Sequence, residues 1–240
     1  MKQALVTGAT GGIGRAITLA LRDAGYQVAA LGRDADALNA LSREQGVTAI
    51  QVDLADRTAL RAAVQGLAPD VLINNAGMMP PLLPFPDMTE SDIDRTIATN
   101  LTAVLALTRM ITPGMRDRGR GHVFFTGSTA GHAPFANLAV YSATKAAIGG
   151  FAGSLRLDMA PSGVRVTEIV AGRVETGLYR DILPEGQRAA MYAGGGAVQP
   201  QDGAAMVMAV LALPPHVDVA RFDILPTHQA TATGAKVKDR

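Results

Sequence analysis

The chain has 240 residues, with 22 Lys or Arg against 21 Asp or Glu, a net charge of +1, and neither Cys nor Trp. So even a balance gives no electrostatic footprint for nucleic acid or an anionic membrane, and the lack of Cys excludes disulfides, thiolate metal sites and a cysteine nucleophile. Hydrophobic residues make up 48% of the chain and aromatic ones only 4%, so a large aliphatic core is expected and global disorder is excluded.

Residues 4–6 form a short aliphatic run read as a first strand. Thr7-Gly8-Ala9-Thr10-Gly11-Gly12-Ile13-Gly14 follows at once, with a helix over 13–24. That first apolar run is too short for a secretory leader and no later run approaches a membrane span, so a soluble, cytoplasmic protein is expected. Gly25 stands just past the helix, where a left-handed cap belongs. A strand over 28–31 leads into Gly32-Arg33-Asp34 and a helix over 35–43. The next strand, 47–52, ends at Asp53-Leu54, and Asp56 is read as the cap of the following helix.

Residues 71–73 form a strand running into Asn74-Asn75-Ala76-Gly77, and residues 123–125 form another just before Ser128. Tyr141-Ser142-Ala143-Thr144-Lys145 opens a helix, and 164–170 is a further strand. Each strand is too apolar to have one wet face, and helices separate them. That pattern predicts a parallel sheet covered on both sides: a Rossmann-type, doubly wound, three-layer α/β/α fold. No composition shift marks a boundary, so residues 1–240 are read as a single domain. The weakly patterned stretch at about 172–200 is read as a substrate lid or binding loop. The tail after Pro226 is read as a solvated terminus.

Glycines at 8, 12 and 14 permit a tight turn, close approach of backbone to a pyrophosphate, and close helix–strand packing. The helix N-terminus then offers free N–H groups to phosphates, so a dinucleotide cofactor is expected. Position 32, where an acid would accept from ribose hydroxyls, is glycine, and Arg33 follows. A guanidinium suits a 2′-phosphate, so NADP(H) is favoured over NAD(H). The alternative is that Arg33 is a solvated charge and Asp34 a helix cap. Tyr141 and Lys145 share one helix face a turn apart. A free tyrosine, with a pKa near ~10, is a poor base. A nearby ammonium and an oxidised nicotinamide are expected to lower that value, so that the phenol exchanges a proton with an alcohol or carbonyl oxygen. Ser128 can hold the same oxygen. The four histidines have no ligand-like spacing, and no metal is expected. His132 is read as either a pocket or a surface-loop residue, and Met78 and Met79 as core fillers or substrate contacts. Arg173, Arg180 and Arg188 are read as solvated charges or partners of a substrate carboxylate.

The glycine motif, Asn74-Asn75-Ala76-Gly77, Asn100, and Ser128 thirteen residues before Tyr141-x-x-x-Lys145 occur in the order of the short-chain dehydrogenases/reductases, which the chain resembles from residue 2 to about 225. The resemblance implies an alcohol–carbonyl oxidoreductase with Asn100, Ser128, Tyr141 and Lys145 as catalytic residues. Asn100 would anchor a water in a proton relay, and Lys145 would also bind the nicotinamide ribose. Cofactor contacts are implied for Gly8, Thr10, Gly11, Gly12, Ile13, Gly14 and Arg33. Further contacts are implied for Asp53, Leu54, Asn75, Ala76, Gly77, Tyr141, Lys145, Val174 and Thr176. In Ala171-Gly172-Arg173-Val174, alanine replaces the family's proline, which puts the rigidity of that loop in question.

Gly127-Ser128-Thr129-Ala130-Gly131 and the segment 213–229 resemble the branch acting on 3-hydroxy acids such as serine or allo-threonine. The alternatives are a reductase of neutral aldehydes or ketones and a catalytically silent NADP(H) sensor. A sensor has no need of all four catalytic residues. On the Tyr141 helix, Ala146, Ala147, Ile148, Phe151, Leu155 and Met159 run beside Gly149, Gly150 and Gly153, an apolar surplus that the helix around 101–110 shares. The resemblance implies that such helices pair between subunits, so a homo-oligomer, a tetramer or a dimer, is expected.

Overall fold

A computed structural model describes residues 2–228 of the chain, so the tail beyond that point lies outside the described residues. The first half alternates strand and helix: β1 (Gln3–Thr7), α1 (Gly12–Asp23), β2 (Gln27–Gly32), α2 (Ala35–Leu41), β3 (Val47–Gln51), α3 (Arg57–Val64) and β4 (Val71–Asn74). Helices α4 (Glu90–Ile97) and α5 (Ala103–Asp117) are joined by a widened π-type turn over Ala98–Thr102. Then come β5 (Gly121–Thr126), α6 (Ala139–Met159), β6 (Val164–Ala171), α7 (Glu185–Tyr192), α8 (Pro200–Leu211) and β7 (Arg221–Ile224).

The strands form one sheet in the order β3-β2-β1-β4-β5-β6-β7, and every pairing is parallel. Alternation along each strand supplies two cores. Ala4, Val6, Ile73, Phe124 and Ile169 face α1 and α8, where Ile17, Leu21, Val207 and Val210 meet them. Leu5, Leu72, Val123, Phe125 and Val166 face the other way, onto Leu60 of α3, Leu107 and Ile111 of α5, and Ile148 and Ala152 of α6. Burial on both faces is why the central strands carry no polar alternation.

Two elements depart from the sequence reading. Strand β7 was not expected: as an edge strand it alternates exposed and half-buried residues, so Arg221-Phe222-Asp223-Ile224 lacks the apolar run of its neighbours. The stretch 172–200 is not a structureless loop. It holds a short turn at Gly177–Tyr179, the helix α7 and a bridge between Val174 and Val198. Helix α7 buries none of its residues, so it leaves no periodic apolar signal.

Candidate active site

The order of the sheet reverses between β1 and β4, and crevices at the C-terminal ends of such strands are where doubly wound folds bind ligands. A cleft of about 700 Å³ opens there. Its floor is the turn from β1 into α1. A side chain at Gly14 would collide with the Gly8 carbonyl and the Asn75 amide, so only glycine lets α1 approach this closely. Thr7 and Asn75 stitch β1 to β4. The Thr7 hydroxyl accepts from the backbone N–H groups of Asn75 and Ala76, both at 3.0 Å. The Asn75 amide donates to the carbonyls of Thr7 and Gly8. Gly11 starts α1 without a side-chain cap, so no side chain takes its first N–H groups.

At the end of β2 the Asp34 carboxylate accepts from the Ala37 N–H at 3.0 Å and caps α2. Arg33 lines the cleft, exposed, with no hydrogen-bond or ion-pair partner for its guanidinium among the described residues. A Cβ at Gly32 would stand 2.8 Å from the Thr10 methyl, so any side chain at that position requires Thr10 to shift. Asp56 caps α3, and Asp53 lines the cleft.

Ser128 follows β5 and caps the turn Thr129–Gly131, its hydroxyl accepting from the Ala130 N–H at 3.2 Å. Tyr141 and Lys145 enter from the first turns of α6, both buried. The Lys145 ammonium donates to the Thr126 carbonyl at 2.7 Å and lies 5.7 Å from the centre of the Tyr141 ring. Asn100 sits in the π-type turn; its side-chain oxygen accepts from the Met78 N–H at 2.8 Å and its amide donates to the Met78 carbonyl at 2.9 Å. A Cβ at Gly77 would lie 3.4 Å from the Asn100 oxygen and 3.7 Å from the Lys145 nitrogen, so the three meet at one point.

Burial pushes the Tyr141 phenol well above the usual tyrosine range, the neighbouring Tyr179 adds to that, and Ser128 pulls weakly the other way. In the chain itself burial is the dominant cause, and Lys145 is not among the groups that act on the phenol. The Lys145 charge is directed at the Thr126 carbonyl, and burial lowers Lys145 itself to about 8. Tyr141 is therefore protonated at neutral pH, as an unperturbed tyrosine also is.

Of the residues expected from the sequence to be catalytic or to contact the cofactor, Gly14 and Asn100 stand behind the wall and the others line the cleft. The inner end is apolar: Met79 packs with Tyr141, Phe135, Leu138 and Tyr179. No sequence signal marked Phe135, Leu138 or Tyr179. Arg173 and Arg180 border the cleft, while Arg188 lines a neighbouring one. His132 does not line the cleft; it is the exposed surface-loop residue of the two readings, and its ring bonds Glu168 at 3.0 Å. Without the proline, the loop after β6 is still held. The Gly172 N–H donates to the Ile224 carbonyl and the Arg173 guanidinium to the Met191 carbonyl.

Residues 2–186 match the family model described as short chain dehydrogenase. An uncharacterized short-chain type dehydrogenase/reductase, y4eK of Sinorhizobium fredii, is 45% identical over 94% of this chain and 92% of its own length. The NADP-dependent 3-hydroxy acid dehydrogenase YdfG of Salmonella typhimurium is 36% identical over 95% of this chain and 96% of its own. Among solved structures, the closed form of serine dehydrogenase complexed with NADP+ superposes with a TM-score of 0.92 at 33% identity, covering 99% of this chain and 100% of that one.

Proposed function

The chain belongs to the short-chain dehydrogenase family and is an NADP-dependent oxidoreductase, and from that premise we propose that it interconverts a small 3-hydroxy acid and its carbonyl partner. The residues present fit the cofactor. Glycine at 14 lets α1 close onto β1 with its first N–H groups uncapped at the cleft, Gly32 offers no acid to a ribose, and Arg33 is free to take a 2′-phosphate. Bound there, the nicotinamide supplies or accepts the hydride. Everything else falls to the chain: Ser128 holds the substrate oxygen, Tyr141 gives or takes its proton, and Lys145 binds the ribose and keeps positive charge beside the phenol. Asn100 fixes the Met78 backbone and with it the wall against Lys145.

The observation that carries the substrate class is Arg180. It lines the cleft with Met79, Phe135 and Tyr179 and also borders the neighbouring one, exposed, and its guanidinium has no partner among the described residues. In this reading Arg180 anchors the carboxylate while the 3-hydroxyl meets Tyr141. The apolar wall favours a second reading, a neutral aldehyde or ketone. NADPH oxidation with a panel of 3-oxo acids, their esters, and neutral ketones separates the two. Acids preferred over their esters, with the preference lost in Arg180→Ala, support the first reading; esters turned over as well as acids discard it.

The same reading extends to the assembly. Leu105 on α5 and Leu157 on α6 are 36% and 64% exposed, and in a protein held to be cytoplasmic such faces fit a homo-oligomer, a tetramer or a dimer, paired through these helices. The segment 172–200 is assigned as the lid of a single domain.

A further inference from the structure

The apolar strand β6 carries one acid, Glu168, which is 4% exposed. A buried carboxylate needs partners or it takes up a proton, and three neighbours are shaped around this one. His132 bonds it at 3.0 Å. A side chain at Gly127, just past β5, would collide with its Oε1. At Gly149 on α6, a Cβ would lie 3.2 Å from both carboxylate oxygens. Gly149 is one turn beyond Lys145 on the same face of the helix, so the carboxylate lies alongside the lysine. The turn between Ser128 and His132 is fixed too: a Cβ at Gly131 would stand 2.7 Å from the Lys145 carbonyl carbon.

We propose that Glu168 is a positioning residue of the catalytic centre: its carboxylate, held by His132, is the counter-charge that keeps the Lys145 ammonium charged. The His132 bond also anchors the far end of the turn that presents Ser128. Burial alone drives Lys145 toward its neutral form, and the Glu168 charge is what opposes it. Among the described residues, the cations nearest by register and along the helix have partners of their own. Arg221, the register partner of Glu168 on β7, is tied to Asp223 at 2.9 Å. Arg156, further along α6, faces Asp218 at 3.8 Å. The register partner on β5 is Phe125.

The inference rests on the catalytic reading of Lys145 and on no particular substrate. The test measures, on the full chain, the pH dependence of kcat/KM with whichever carbonyl compound the wild type reduces fastest. In parallel, NADPH affinity is titrated by cofactor fluorescence from about pH 6 to about pH 10, bracketing the lysine. Loss of the Lys145 charge sets the alkaline limb of both profiles. In Glu168→Gln both limbs move to lower pH by about one unit, while Glu168→Asp, which keeps the charge, leaves them near the wild-type position. Limbs that stay put in Glu168→Gln, however far the rate falls, reduce Glu168 to a packing residue and overturn the proposal; equal shifts in Gln and Asp do the same. His132→Gln stands as an independent check should Glu168→Gln fail to fold. It keeps a donor and the carboxylate, so its alkaline limb stays in place while kcat drops; a displaced limb overturns the proposal. Should no carbonyl compound be reduced at all, the functional reading fails, whereas the affinity profile still reports on Glu168.

Discussion

Tyr141 is protonated at neutral pH, as an unperturbed tyrosine also is, and burial only strengthens its hold on the proton; the proposed reading gives it the acid's part in carbonyl reduction. Tyr141→Phe removes only the phenolic proton donor, so kcat falls by about 10²–10⁴-fold while NADPH affinity stays near wild type; retention of a tenth of the activity would exclude the role. The reduction rate falls as pH rises through about 8, where Lys145 loses its proton. Arg33→Ala loses a charged hydrogen bond to the 2′-phosphate, on the order of 1.5–3 kcal/mol, or tenfold and more in the ratio of kcat/KM for NADPH over NADH. An unchanged ratio means that Arg33 holds no phosphate. These residues are legible in the chain because the turn and the helix fix their spacing locally. Glu168 and His132 are not, since only the packing of β6 against the Ser128 turn brings them together.

Strand β5 shows what one polar residue in a buried element implies. The Thr167 hydroxyl donates to the Val219 carbonyl at 2.7 Å, so it accepts from the His122 Nε2–H at 2.8 Å. The other ring nitrogen is buried without a partner among the described residues. Burial foremost, then the charge of Arg165, lowers His122 from 6.5 to about 3. The folded chain thus keeps the ring neutral, while the unfolded chain protonates it below about 6.5. Its contribution to stability is full above that value and is lost as pH falls toward about 3. Urea midpoints should fall between about pH 7 and about pH 5 in the wild type, and fall less in His122→Gln, which cannot titrate. Equal falls would place the acid sensitivity elsewhere. Central elements such as β5 announce themselves by unbroken apolar runs. Elements with a wet side, β7 and α7, escape notice because half-burial and short length erase the pattern.

For the molecule as a whole, the proposed pairing of α5 and α6 between subunits would cover the exposed Leu157. Light scattering at micromolar concentration should give a multiple of the 24.9 kDa chain mass, and Leu157→Glu should lower it without unfolding the protein; a monomeric wild type would remove the interface. The layered architecture is readable because both faces of every inner strand are apolar, but where the last strand joins is decided by contacts remote in the chain. The strand order has one more consequence, for synthesis. Ala4 of β1 pairs on one side with Val28 of β2 and on the other with Val71 of β4. A chain leaving the ribosome can therefore close β1, β2 and β3 early, yet it carries the second edge of its central strand bare until β4 emerges. That unpaired edge is a template for stray pairing with other chains. The nascent first half is the stage at which this protein most needs a chaperone, and slow translation ahead of β4 is the condition most apt to send it into aggregates.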